Sequence, residues 1–286
     1  MKKRIIQILS LVLVLALGIG LLTSCGSSSE RTTIDAITRE SGSGTRGAFT
    51  EMLGIVDDKG VDAITPRAEV TNSTAVMTMS TYGNRNAIGF ISLGSMFSTV
   101  KAVKVDGVAP SVKTINEGKY KLVRPFEICY KPGSLSPVAQ DFIKFILSRA
   151  GQKIIDDAGY LKMDNAKGYR SQKGTKGTIS IAGSTSVGPV MERLADQYML
   201  LNPKVTIEIE QNGSSAGIQA AEEGVVDFGM ASRALEGDET KQLESQTIAK
   251  DGIVVIVNKK NPVNNLTSAQ IRDIYLGKIT DWSQVQ

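Results

Sequence analysis

Three segments of this chain share one layout, in which a short apolar run typical of a β-strand leads into a loop of glycines and hydroxyl residues and then into a helical pattern. The loops are residues 39–45 (RESGSGT), 183–186 (GSTS) and 213–217 (GSSAG). Alternating strands and helices predict an α/β fold, and open α/β sheets bind ligands at the carboxyl ends of their strands. The repeated unit therefore constrains both the fold class and the position of a site.

The chemistry of these loops predicts a site for a tetrahedral oxyanion. A helix N-terminus carries unpaired N–H groups and partial positive charge, glycine allows close approach of the backbone, and Ser and Thr add donors. Arg39 can contact an anion in the bidentate geometry that lysine lacks. One such loop alone is weak support, since Gly/Ser turns cap helices widely. Arg46 and Arg233 are weaker candidates, because solvated side chains explain them equally well.

The composition argues against several classes of enzyme. The chain contains no histidine, which excludes Ser-His-Asp and Cys-His catalysis and any histidine-ligated metal site. Residues 42–47 (GSGTRG) satisfy the dinucleotide-binding pattern, but Asp62 lies in a loop and does not end a second strand. The carboxylates form no close pair suited to hydrolysis. We expect a protein that is not an enzyme, with no cofactor and no metal site.

The N-terminus has the features of an export signal. Residues 1–4 (MKKR) are basic, residues 5–22 form an almost unbroken apolar run, and residues 22–25 (LTSC) resemble the lipobox of bacterial lipoproteins. We expect a signal peptide over residues 1–24, acylation of Cys25, and a flexible tether over residues 25–30. The alternative is an uncleaved transmembrane anchor. Either way the body of the protein faces outward.

Removal of the signal nearly neutralises the chain. Of 33 basic residues, three lie in the first four positions, which leaves 30 against 29 acidic residues and a formal charge of about +1. A nucleic-acid partner is not expected, because such a protein needs a basic patch. Cys129 lies in an apolar run and has no partner if Cys25 is acylated, so we expect a buried, inert thiol.

Hydrophobic periodicity predicts the remaining elements. Strands are expected near residues 31–38, 86–94, 100–107, 122–130, 178–182, 205–210, 225–229 and 253–257, and helices near residues 45–54, 138–147, 151–158, 190–201 and 266–277. A further helix is expected after the loop at residues 211–217 and ends near residue 223. The polar residues 164–177 lack periodicity and are interpreted as a linker.

Five segments together resemble the phosphate-binding lipoprotein of the bacterial ABC phosphate-uptake system. They are residues 182–186 (AGSTS), 213–217 (GSSAG), 226–229 (VDFG), 39–45 (RESGSGT) and 87–94 (AIGFISLG). The resemblance implies a two-lobed type II periplasmic-binding-protein fold, with mixed central sheets and helices on both faces. It also implies an extracytoplasmic lipoprotein that captures inorganic phosphate and delivers it to ABC transporter permease subunits, anchored to the membrane through lipid on Cys25.

The sequence departs from that family in two ways. Residues 178–286 resemble the first half of the family and residues 31–163 the second, so the chain looks circularly permuted; a truncated product of two tandem copies is the alternative. Ser232 stands where many members have an aspartate that accepts the proton of hydrogen phosphate. Discrimination between phosphate and sulfate is therefore left open.

The resemblance also implies a division into lobes and a site between them. One lobe comprises residues 31–97 plus 258–286 and the other residues 98–257, with hinge strands near residues 94–100 and 257–262. Phosphate is expected to contact two sets of residues: Thr185, Ser186, Ser214 and Ser232 from the continuous lobe, and Arg39, Ser43, Gly44 and Thr45 from the other. Closure on binding should follow, because contacts from both lobes stabilise only the closed state. A binder of another oxyanion, a phosphohydrolase, and an adhesin or sensor on the same fold are the competing functions.

Overall fold

A computed structural model describes residues 32–164, 166–171 and 174–285. The expected signal peptide over residues 1–24, the lipidation site at Cys25 and the tether over residues 25–30 lie outside the described residues. Within the described ranges, no helix is both long enough and apolar enough to cross a membrane.

The elements alternate between strand and helix along much of the chain. The strands are β1 (Asp35–Arg39), β2 (Glu69–Thr71), β3 (Ala87–Ser92), β4 (Val100–Ala102), β5 (Lys104–Val105), β6 (Val123–Tyr130), β7 (Gly177–Gly183), β8 (Val205–Glu210), β9 (Phe228–Ala231), β10 (Glu244–Asn258) and β11 (Asn265–Leu266). The α-helices are α1 (Gly44–Leu53), α2 (Thr74–Gly83), α3 (Val112–Asn116), α4 (Pro137–Ile146), α5 (Arg149–Asp157), α6 (Gly188–Leu201), α7 (Ser214–Glu223), α8 (Glu239–Gln242) and α9 (Ser268–Tyr275).

Nine of the described strands form one mixed sheet in the order β2-β1-β3-β10-β6-β9-β7-β8, with β4 also pairing with β10. The pairs β1–β2, β1–β3, β7–β8 and β7–β9 are parallel, whereas β10 runs antiparallel to both β3 and β6. Two parallel groups, each followed by helices, are thus joined through β10 and β6. This arrangement confirms the predicted α/β class.

Short-range signals explain where the helices begin and end. The hydroxyls of Ser73, Ser136 and Thr267 each accept a hydrogen bond from a backbone N–H of the helix that follows, which satisfies donors that a helix start otherwise leaves unpaired. Helix α1 ends at Gly54, which adopts φ 63° and so closes the helix in the left-handed conformation that glycine favours.

Two main hydrophobic cores lie along the sheet. The first core contains Phe49 stacked on Phe90 at 4.0 Å between ring centroids, with Tyr275 at the edge of both rings. The second core contains Phe142 against Tyr198 at 4.9 Å. A smaller cluster around Cys129 packs under α7. The buried, unpaired Cys129 agrees with the expectation from sequence.

The boundary between the two cores falls within strands β6 and β10. Buried side chains from residues 100–122 and 253–257 pack in the first core. The chain passes between the cores within β6 and β10 and again at Tyr160 and Leu161. The sequence pattern predicts only the apolar end of β10, because residues 244–252 are largely polar.

Several predicted elements differ in detail. The expected strand over residues 100–107 is divided into β4 and β5, and the expected strand over residues 225–229 lies three residues later, as β9. The segment interpreted as a linker packs partly against the protein: the Tyr169 hydroxyl donates to Asp141 Oδ2 at 2.7 Å, and the Arg149 N–H donates to the carbonyl of Lys167.

Candidate functional site

Arg39 lies at the carboxyl end of β1 and is almost fully buried, at 2% exposure. Its guanidinium forms a bidentate pair with Glu40, with Nε–Oε2 at 2.8 Å and Nη2–Oε1 at 2.7 Å. Nη2 also donates to Thr185 Oγ1 at 3.1 Å. The side chain therefore extends from the first core to a loop of the second, with one neutralising carboxylate beside it.

The starts of several helices meet beside Arg39, where their hydroxyl groups contact one another. Helix α1 begins at Gly44, α2 at Thr74 and α7 at Ser214, and the turn over residues 184–186 leads into α6. Helix starts carry partial positive charge and unpaired N–H groups, so their convergence favours a bound anion. The first turns of these helices contain no acidic residue to offset that charge.

Six buried hydroxyls form a continuous cluster at this point. Thr45 Oγ1 lies 3.0 Å from Ser186 Oγ and 3.5 Å from Ser232 Oγ. Thr74 Oγ1 lies 3.2 Å from Ser186 Oγ and 3.3 Å from Thr185 Oγ1. Ser214 Oγ lies 3.4 Å from Ser232 Oγ. Among the described residues, none of these six hydroxyls is hydrogen bonded to a carboxylate. We call these six residues the hydroxyl cluster.

The structure brings together most of the residues expected from sequence. Arg39, Thr45, Thr185, Ser186, Ser214 and Ser232 all belong to the cluster or contact it. Gly44 packs against it so closely that a Cβ there would lie 2.6 Å from Ser214 Oγ and 3.0 Å from Ser232 Oγ. Ser43 differs, because its Oγ caps α1 by accepting from the Arg46 N–H at 3.4 Å.

The two weaker candidates are engaged in ion pairs. Arg46 pairs with Asp62, and its Nη1 donates to the carbonyl of Arg39 at 2.8 Å, which supports the loop. Arg233 pairs with Glu239 at 2.7 Å. These contacts agree with a role for Arg46 and Arg233 in supporting the loops beside the hydroxyl cluster.

Sequence reasoning missed Thr74 and Arg124. Thr74 begins α2 directly after its cap Ser73, and a serine before a helical run is the sequence signal that could have marked it. Arg124 is a charged residue inside the apolar run of β6, where its buried position could have marked it as functional. Its Nη1 donates to Thr45 Oγ1 at 2.6 Å and to the carbonyl of Ser232 at 3.1 Å.

Asp251 of β10 holds Arg124 in place. The guanidinium donates to Asp251 Oδ2 from Nε at 3.2 Å and from Nη2 at 3.0 Å, while Oδ1 accepts from Ser92 Oγ at 2.8 Å and the Leu93 N–H at 3.1 Å. Burial raises the pKa of the Asp251 carboxyl, and the Arg124 charge and these hydrogen bonds oppose that rise. Both side chains are buried.

The site thus offers two guanidinium groups, converging helix starts and several hydroxyl donors in a buried place. This set can bind an oxyanion through charge-assisted hydrogen bonds. The described residues include no group of three or more Cys, Asp or Glu side chains placed to hold a metal ion.

Comparison with known proteins gives a consistent result. The sequence matches the PBP superfamily domain over residues 27–150 and 170–286. Phosphate-binding protein PstS 2 of Streptococcus agalactiae serotype V is 47% identical over 294 aligned residues, which cover 100% of this chain and 99% of that protein. Both span their full length in one alignment, so the two chains share the order of their segments.

One solved structure is similar throughout. The crystal structure of a phosphate ABC transporter, phosphate-binding protein from Streptococcus pneumoniae TIGR4 matches with a TM-score of 0.72 and 44% identity, covering 89% of this chain and 100% of that chain. Phosphate-binding protein PstS of Staphylococcus epidermidis, in contrast, is 36% identical over 129 residues, only 42% of this chain and 40% of that protein.

Proposed function

Because this chain belongs to the PBP superfamily, we propose that it is a substrate-binding protein that captures inorganic phosphate in the hydroxyl cluster and delivers it to an ABC transporter. One observation carries the proposal: two buried arginines and six hydroxyls, drawn from segments far apart in the sequence, converge on one point. The printed names of the similar streptococcal proteins support phosphate as the ligand.

The ligand is held between two lobes that correspond to the two cores. Thr45 and Thr74 come from helices on the first core. On the other side, Ser186 and Ser232 come from loops, and Ser214 is the first residue of α7. Contacts from both sides stabilise only the closed arrangement, so phosphate binding drives closure about the β6 and β10 crossing. Small-angle scattering with and without phosphate tests this, and an unchanged radius of gyration contradicts it.

Delivery takes place outside the cytoplasm, with the protein held at the membrane by lipid on Cys25. The signal-like residues 1–24 and the LTSC sequence support this. Cells fed a labelled fatty acid should label the unmutated protein but not a Cys25→Ala variant. Equal labelling of both would overturn the lipidation site.

The order of the segments is a circular permutation of the arrangement found in other phosphate-binding proteins. The partial match to the staphylococcal protein supports this, because an alignment that keeps chain order can match only one half at a time. The Ile34 N–H also donates to the carbonyl of Thr280 at 2.8 Å, so the described ends are adjacent. A variant joined from residue 286 to residue 33 and opened within residues 164–177 should fold and bind phosphate; failure to fold contradicts the proposal.

Calorimetric titration of the purified mature chain with phosphate, sulfate and arsenate tests the function. We expect phosphate binding that Arg39→Ala weakens by roughly 100-fold or more, since charged hydrogen bonds contribute about 1.5–3 kcal/mol each. Arg272→Ala, which removes a partly exposed arginine paired with Asp273, is the matched control. Absence of phosphate binding overturns the function, and equal affinity for sulfate overturns phosphate specificity.

A further inference from the structure

Arg124 is a buried cation of the proposed site that comes from a strand, β6, and not from one of the loops. It lies on β6 directly opposite Asp251 of β10, at the place where both strands pass from one core to the other. One edge of the guanidinium, Nε and Nη2, is used by Asp251. The remaining group, Nη1, contacts Thr45 from the first core and Ser232 from the second.

The direction of the Thr45 contact is fixed by chemistry. A guanidinium has only donors, so Thr45 Oγ1 must accept the 2.6 Å hydrogen bond from Arg124. The hydroxyl hydrogen of Thr45 then remains to donate elsewhere, and its neighbouring hydroxyl oxygens are Ser186 Oγ and Ser232 Oγ within the cluster. Arg124 thereby turns Thr45 from a group that could donate or accept into a donor facing the cluster.

Thr185 and Ser214 are arranged by the same rule. Thr185 Oγ1 accepts from Arg39 Nη2, and Ser214 Oγ accepts from the Ser232 N–H at 3.2 Å. Each of these hydroxyls is supplied with an N–H donor, which leaves its hydrogen free for an anion. Arg124 provides for Thr45 what Arg39 provides for Thr185.

We propose that Arg124, anchored by Asp251, is a positioning residue for oxyanion binding that acts through Thr45 by orienting its hydroxyl as a donor to the ligand. The inference rests on the proposed phosphate-binding function. In this proposal, the paired residues Arg124 of β6 and Asp251 of β10 influence phosphate affinity directly. This role is separate from the part that the two strands play in joining the cores.

A double-mutant cycle in phosphate affinity tests the inference, with Arg124→Lys, Thr45→Val and the double variant measured by calorimetry. Lysine keeps the charge but cannot pair with Asp251 and serve both Thr45 and Ser232. We expect Arg124→Lys to weaken phosphate binding by roughly 10- to 100-fold alone, and by less than about threefold in the Thr45→Val background. Arg272→Lys serves as the matched control and should leave affinity unchanged.

The outcomes separate the inference from the function. If the unmutated protein does not bind phosphate, the proposed function fails. If it binds but Arg124→Lys has the same effect with and without the Thr45 hydroxyl, or none at all, only the inference is overturned. Thermal melts of the ligand-free variants distinguish loss of fold from loss of affinity.

Two further measurements apply if Arg124→Lys does not fold. Asp251→Asn releases the anchored edge of the guanidinium and should weaken binding in the same Thr45-dependent way. In the unmutated protein, the guanidinium NMR resonances of Arg124 should shift when phosphate is added. Resonances that stay in place at saturation would overturn the inference.

Discussion

Gly44 offers a change that separates ligand binding from folding. It is the first residue of α1, and its φ is not positive, so alanine fits the backbone. A Cβ at this position would lie 2.6 Å from Ser214 Oγ and 3.0 Å from Ser232 Oγ, across the contact between the two cores. Carbon and oxygen do not approach so closely without repulsion, so one side of the hydroxyl cluster must move.

Gly44→Ala should therefore weaken phosphate binding strongly while leaving the fold intact. Moving Ser214 disturbs both its bond from the Ser232 N–H and its contact with Ser232 Oγ. Ser214 and Ser232 are both proposed phosphate ligands, and the loss of one charged hydrogen bond from each, at about 1.5–3 kcal/mol, corresponds to roughly 100-fold or more in Kd. Alanine gains up to about 1 kcal/mol in helix propensity over glycine, so the melting temperature of the ligand-free protein should not fall appreciably.

Gly47→Ala is the matched control, one turn further along the same helix. A Cβ there meets only Arg233 Cδ at 3.8 Å, an ordinary contact. Calorimetry should show unchanged phosphate affinity for this variant. A Kd for Gly44→Ala within threefold of the unmutated value would refute the close packing of Gly44 against the cluster.

Three further predictions concern the cores. Burial raises the pKa of the Cys129 thiol to about 12, so iodoacetamide should modify it in urea but not in native buffer; full native modification contradicts its burial. Burial raises the pKa of Glu127, and its Oε2 has no hydrogen-bond partner among the described residues. The native state therefore holds this proton more tightly than the unfolded state, and the free energy of unfolding falls as pH rises above about 4.3. Glu127→Gln should raise the free energy of unfolding, measured by urea denaturation, by on the order of 1 kcal/mol at pH 7.5 and by little at pH 4. Equal changes at both pH values would exclude titration of this group. Phe49→Ala removes a ring stacked on Phe90 and should cost about 3–5 kcal/mol of unfolding free energy; a loss below 1 kcal/mol would contradict the packing of the first core.

The local chemistry of the site was predictable because it is encoded in contiguous residues. The loop over residues 39–45 indicates a helix start, since its hydroxyl oxygens can accept from unpaired N–H groups, while its glycines and Arg39 favour an anion. The same local rules predicted α1 and its end at Gly54. Residues 213–217, which form the cap and first turn of α7, could be recognised in the same way.

The long-range features could not be read from local pattern. The polar half of β10 has no strand signature because its pairing with β6 across both cores, rather than its own side chains, holds it extended. The position of the core boundary within these strands follows from that pairing.

The sequence alone therefore determined the α/β class, the oxyanion chemistry of the loops and most of the residues that meet there. Only the tertiary structure decided that Ser43 serves as a helix cap, that Thr74 joins the hydroxyl cluster and that Arg124 reaches Thr45. Arg124 is separated from Thr45 by 79 positions and from Asp251 by 127. Such contacts depend on strand register and core packing, and neither is encoded in a local run of residues.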